Sequence, residues 1–137
     1  MTMETLIADR LEISDLFSRF GRLLDEHHWE GADTVFAPDI TVTSPRAGQL
    51  TGIDQVVGYI RQSVVPGEHT QHITTDLQVD IDGDQASAAA NSQVYFYRDG
   101  QPPHQISGLR LVAGVVRTPN GWRLNETRTI LNWVRTA

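Results

Sequence analysis

The stretch DLQVDIDGDQASAAANSQVYFYRDG, residues 76–100, decides the fold. Leu77, Val79 and Ile81 alternate with polar residues, the period-two pattern of a strand with one buried face. Asp82-Gly83-Asp84 then supplies a tight turn. Residues 86–98 read as the returning strand, ending in Tyr95-Phe96-Tyr97, and Asp99-Gly100-Gln101-Pro102-Pro103 as a loop. Toward the C-terminus the pattern repeats. A strand over 105–117 is followed by a Pro119-Asn120-Gly121 turn and a last strand, opened by Trp122-Arg123-Leu124 and running towards Trp133. From residue 69 onward the chain is therefore expected to form four long antiparallel strands.

The region before this meander has a different period. Over residues 4–26, Ile13, Phe17, Phe20 and Leu24 recur at spacings of three and four, with Leu16 and Leu23 beside them. This predicts a long helix with one face in the core. Trp29, Ala32, Val35 and Phe36 extend a second, short helical run, which Ala37-Pro38-Asp39 breaks. Ile40–Thr43 reads as a short strand. Thr51 is expected to cap a third helix carrying Ile53, Val56, Val57, Ile60 and Val64, which Pro66-Gly67 ends. Helices first and a meander afterwards give an α+β class. No repeat, low-complexity segment or linker divides the 137 residues, so a single domain over 1–137 is expected.

Composition narrows the function classes. The chain has no cysteine, which removes thiolate nucleophiles, thiolate metal ligands and disulfides. Its eleven basic residues are all arginine, so lysine Schiff-base chemistry is excluded too. A net charge of −6 without a basic cluster argues against nucleic acid. No segment reaches the ~20 apolar residues of a membrane span, and the N-terminus lacks the features of a signal peptide. A cytoplasmic protein that touches neither membrane nor nucleic acid is the expectation.

Several of these features stand in a recognisable order. A helix ends in Leu24-Asp25, and a Trp29…Phe36…Asp39 segment follows. Gly52-Ile53-Asp54 opens a helix, Thr70-Gln71-His72 opens a strand, and an Asp82-Gly83-Asp84 turn precedes a run of alanines. Asn120-Gly121-Trp122-Arg123 opens the last strand. This set resembles a SnoaL-like domain of the nuclear transport factor 2-like superfamily over nearly the whole chain. The resemblance implies a cone, in which a curved, mostly antiparallel sheet wraps around the long helix, with two further helices and a pocket at one end. It also implies homodimers through the outer face of the sheet. Members include polyketide cyclases, dehydratases, isomerases and non-catalytic proteins.

Within that superfamily the chain is similar to the scytalone dehydratases at two positions. Asp25 matches their acidic residue at the end of the first helix, and His72, in Thr-Gln-His, matches their first catalytic histidine. It departs from them at Leu24, where they carry a tyrosine, and on the strand over 86–98, which has no second histidine.

An imidazole exchanges a proton near neutral pH, and a carboxylate on its other nitrogen fixes the tautomer and raises basicity. An Asp25–His72 pair of this kind could drive dehydration, cyclisation or isomerisation of a small polyketide-, terpenoid- or steroid-like molecule, with neither metal nor organic cofactor. The alternative is a non-catalytic small-molecule-binding or structural partner domain of the same fold. His72 has the opposite parity to Ile73, Leu77, Val79 and Ile81. Either it faces a pocket while they pack elsewhere, or a bulge shifts the register, or it is a surface histidine. Phe17 and Trp29 are candidate pocket wall or core. Tyr95 and Tyr97 are candidate hydrogen-bond donors or plain packing. Arg110 and Arg128 are candidate anchors for a substrate anion or surface pairs. A carboxylate base at Asp39 with Tyr95 as donor is a further alternative. His27 and His28 are adjacent, and His69 and His72 point to opposite faces, so neither makes a natural metal pair. His104 follows two prolines and is expected to be exposed.

Overall fold

The computed structural model describes residues 2–137. Helix α1 (Met3–Glu26) buries Ile13, Leu16, Phe17 and Leu23, the face that the three-and-four spacing marks. The Thr2 hydroxyl accepts the Thr5 N–H at 3.1 Å and caps its start. His27, at φ 57, closes it in the left-handed conformation. A 3-10 helix (Trp29–Thr34) follows and is shorter than the expected run. Val35 and Phe36 leave it, and Phe36 already begins strand β1 (Phe36–Ser44). Pro38 sits in β1 where the register with the last strand is interrupted, as a residue without an N–H requires.

A short strand β2 (Gly48–Thr51) pairs back on β1 and had no signal in the sequence pattern. It also relocates the expected cap. Thr51 is paired with Thr41 in the sheet, so Gly52, at φ 88, makes the corner into helix α2 (Ile53–Gln62). The Gln55 side chain accepts the Thr51 N–H at 2.6 Å. The meander then comprises β3 (Glu68–Asp82), β4 (Gln85–Arg98), β5 (Gln105–Thr118) and β6 (Gly121–Thr136).

The six strands form one sheet in the order β2-β1-β6-β5-β4-β3. Only β1 and β6 run parallel. The β5–β6 register shifts at Gly108/Leu109 and at Gly114/Val115, leaving Asn132 and Asn125 as extra residues. Such bulges bend a sheet and increase its twist. Here they accompany a sheet that reaches α1 through both β3 and β6. The core lies between them: Ile13, Leu16 and Phe17 from the helix meet Val79, Ala88, Leu111, Val115, Trp122 and Leu124 from the strands.

A polar clamp closes the end where α1 begins. Asp9 is buried. Its two oxygens accept Arg117 Nη1 at 3.0 Å and Nη2 at 2.7 Å, and Oδ1 also accepts the Trp122 indole N–H at 3.0 Å. Glu12 Oε2 accepts the Trp122 backbone N–H at 2.5 Å. The Arg117 guanidinium lies 4.6 Å over the Trp122 ring and also donates to Asp84 at 2.9 Å. The hydrogen bonds from Arg117 and then Trp122 hold the Asp9 carboxyl below the usual carboxylate range, against the opposing effect of burial. Its bonds to Asp9 and then Asp84 push the Arg117 guanidinium up.

Candidate active site

The opposite end of α1 carries a second carboxylate, Asp25, about 24 Å further along the helix at 1.5 Å per residue. Asp25 meets strand β3, which is an edge of the sheet. An edge strand leaves alternate N–H groups without a ladder partner. The His72 N–H is one of these, and it donates to Asp25 Oδ2 at 2.8 Å. Asp25 Oδ1 faces His72 Nδ1 at 2.5 Å and accepts the Thr70 hydroxyl at 2.9 Å. A carboxylate accepts only, so the ring proton belongs on Nδ1 and Nε2 keeps its lone pair. Partial burial by itself would push the Asp25 carboxyl up. The bonds from the His72 ring, the His72 backbone and Thr70, together with the charge of the imidazolium form, outweigh it and hold the carboxyl below its ordinary value.

The parity of His72 is resolved by a bulge. Glu68, Thr70 and His72 turn inward in the first part of β3, whereas Leu77, Val79 and Ile81 turn inward in the second. Between them Thr75 pairs with Asn91 and Gln78 with Ala89, so Asp76 and Leu77 together oppose one residue. Asp76 takes φ 55, and the Asn91 amide donates to its carboxylate at 3.1 Å. Aspartate is among the few residues that tolerate this left-handed geometry.

His72 lines a cavity of about 550 Å³. Leu24, His27 and Trp29 form one side, and Tyr59, Ile60 and Val64 of the α2 region form another. Arg46 contributes from the turn between β1 and β2. Val94, Phe96, Ser107, Leu109 and Leu131 supply the sheet wall. The surface is largely apolar with a few polar groups, the usual make-up of a small-molecule site. His27 stacks on Trp29 at 5.2 Å between ring centres, which stiffens the rim.

Not every sequence candidate reaches this cavity. His72 and Trp29 line it, and Asp25 holds His72 without lining the cavity itself. Phe17 does not reach it: it is buried in the core below. Tyr95 and Tyr97 lie on the outer face, because Val94 and Phe96 hold the inward parity of β4. The Tyr95 hydroxyl donates to Gln93, and the Tyr97 ring sits against His69. Arg110 and Arg128 are exposed on the same outer face for the same reason. Asp39 is exposed as well, so it forms no unit with Tyr95 inside the cone. His104 is not free in its loop but pairs with Glu68 at 2.9 Å. Residues that the sequence did not single out also line the wall, namely Arg46, Tyr59 and Glu68. Among the described residues no three His, Asp or Glu side chains gather as a metal site, and no helix is long and apolar enough to cross a membrane.

The chain is 33% identical over 121 residues to the uncharacterized protein Rv2910c of Mycobacterium tuberculosis, covering 86% of this chain and 82% of that one. Among solved structures, the Kfla4162 protein of Kribbella flavida superposes with a TM-score of 0.86 at 21% identity, covering 95% of both chains. The hexachlorocyclohexane dehydrochlorinase LinA-type3 of Novosphingobium barchaimii gives 0.83 at 16% identity, over 99% and 94%. A candidate scytalone dehydratase of Novosphingobium aromaticivorans gives 0.85 at 15% identity, over 99% and 92%. These likenesses show a cone of the nuclear transport factor 2 type, the fold of a dehydrochlorinase and of a candidate dehydratase. The SnoaL-like domain signature matches residues 5–128, and the chain belongs to that family.

Proposed function

We propose that this protein is a cofactor-independent acid–base enzyme of the lyase or isomerase type. Its substrate is a small, mostly apolar molecule of polyketide, terpenoid or steroid character. The observation that carries the reading is the Asp25–His72 hydrogen bond at 2.5 Å beside an apolar-walled cavity. His72 is the general base and Asp25 its partner. In an elimination, Nε2 accepts the proton of a C–H bond and the bonding pair becomes the new π bond. The leaving group departs from the neighbouring carbon with its own electron pair. Asp25 stabilises the imidazolium so formed, and that imidazolium can return its proton to a departing hydroxide as water. In an isomerisation the same proton returns to a different carbon. The fold is one that a dehydrochlorinase and a candidate dehydratase share, which supports the class without supplying the substrate.

The alternative is a binding domain that holds the same kind of ligand without converting it. A panel of cyclic β-hydroxy ketones, assayed for new enone absorbance, and of alicyclic halides, assayed for released halide, separates the two. Turnover should fall about 10³-fold in His72→Ala. Turnover unchanged by that substitution, in a variant that still folds, would sink the reading.

A further inference from the structure

Glu68 and His72 share the inward face of β3 and lie four residues apart, about 13 Å at strand rise. Both line the cavity, so its wall carries a proton acceptor at His72 and a carboxylate at Glu68. The Glu68 side chain is only 21% exposed. His104 fixes it, with Nε2 at 2.9 Å from Oε2. His104 is itself held between two strands: its N–H donates to Phe96 O at 2.9 Å, and its carbonyl accepts the Ala137 N–H at 3.0 Å. Oε1 has no hydrogen-bond partner among the described residues, which leaves a positioned acceptor on a largely apolar wall. Arg46 lines the same cavity with a fixed positive charge and disfavours an ammonium there.

We infer that Glu68, positioned by His104, is a specificity-determining acceptor for a neutral hydroxyl on the end of the substrate remote from the carbon that His72 deprotonates. The inference rests on the reading of the cavity as a substrate pocket. It narrows the substrate to an elongated molecule with an apolar body, a reactive C–H at one end and a hydroxyl at the other. A carboxylate acceptor also sets a penalty for analogues that lack the donor, because their binding would desolvate Glu68 without a partner.

Binding of biphenyl, 4-hydroxybiphenyl and 4-(aminomethyl)biphenyl, measured by equilibrium dialysis, tests this. The wild type should hold 4-hydroxybiphenyl about tenfold more tightly than biphenyl. Glu68→Ala should abolish that gain, Glu68→Gln should reduce it, and His72→Ala should keep it. If Glu68→Ala does not fold, Glu68→Gln, which retains the side-chain shape, decides the matter. An equal hydroxyl gain in the wild type and the Glu68 variants overturns the inference alone, and so does a preference for the amine. Failure of the wild type to bind any of the three overturns the pocket reading on which it rests.

Discussion

Helix α1 anchors a buried or half-buried aspartate at each end of the cone, Asp9 and Asp25, and the two do different work. Asp9 sits in the closed end, where a guanidinium and an indole N–H saturate it. Asp25 sits at the open end, where an imidazole, a hydroxyl and a backbone N–H saturate it beside about 550 Å³ of cavity. Both carboxyls are held below their ordinary range. A displaced pKa therefore does not distinguish a structural ion pair from a site of chemistry. The partner does: a guanidinium keeps its proton under all working conditions, whereas an imidazole exchanges one. The adjoining space does as well, since the imidazole that Asp25 holds lines a largely apolar cavity.

The contrast predicts opposite consequences for matched substitutions. Asp25→Asn should have the largest effect, and it should fall on catalysis. The amide can donate to Nδ1 and favour the wrong tautomer, so kcat should drop by about 10³-fold while stability changes by only about 1 kcal/mol. Asp9→Ala should do the reverse. It strands Arg117 and the buried indole N–H of Trp122, for a loss of about 3 kcal/mol. Turnover per folded molecule should stay at the wild-type value. Urea unfolding and kcat, measured on both proteins, give a two-by-two result. If Asp9→Ala lowers kcat as far as Asp25→Asn does, the division of the helix into structural and chemical ends is wrong.

Acid titration sharpens the same comparison with a smaller effect. Both folded-state carboxyls lie below the ordinary value of 3.8. Their contributions to stability are fully present above that value and are lost as pH falls through the lowered folded-state values. The stability curve should thus be set by other groups near neutrality and bend downward below about pH 4. Replacing Asp9 by Asn should flatten that bend, which equilibrium unfolding at stepped pH would read directly. An undiminished bend in Asp9→Asn would assign the acid response elsewhere.

Periodicity made most of the architecture legible. The long helix and the meander follow from Ile13, Phe17 and Leu24 in one half and Leu77, Val79 and Ile81 in the other. The dyad was legible only as a resemblance, because Asp25 and His72 stand 47 positions apart and are brought together by tertiary structure. The two readings of Tyr95 and Tyr97, donor or plain packing, stayed open for an identifiable reason. Alanines at 86, 88, 89 and 90 occupy both faces of β4 and erase the alternation that would have assigned Val94 and Phe96 inward. Arg46 sits in a turn with no period at all. The Glu68–His104 and Asp9–Arg117 pairs join residues 36 and 108 positions apart, and no local rule reports such distances.

The smallest predicted effect concerns the joint between the two ends. The half of β3 bearing Leu77, Val79 and Ile81 packs on the core, while the half bearing Glu68, Thr70 and His72 faces the cavity. Asp76, at φ 55, is where the strand changes face. Without that extra residue a strictly alternating strand would turn His72 outward as soon as Val79 turned inward. Asp76→Gly loses the bond from Asn91 but relieves the left-handed strain, so stability should stay within about 0.5 kcal/mol. A β-branched residue tolerates this conformation worst, and Asp76→Val should cost about 1–2 kcal/mol. Part of that strain is relieved by easing the bulge, which re-aims His72, so kcat should fall in Asp76→Val and hold in Asp76→Gly. Equal stability and equal kcat in the two variants would mean that the change of face is fixed by the packing on either side, with Asp76 merely accommodating it.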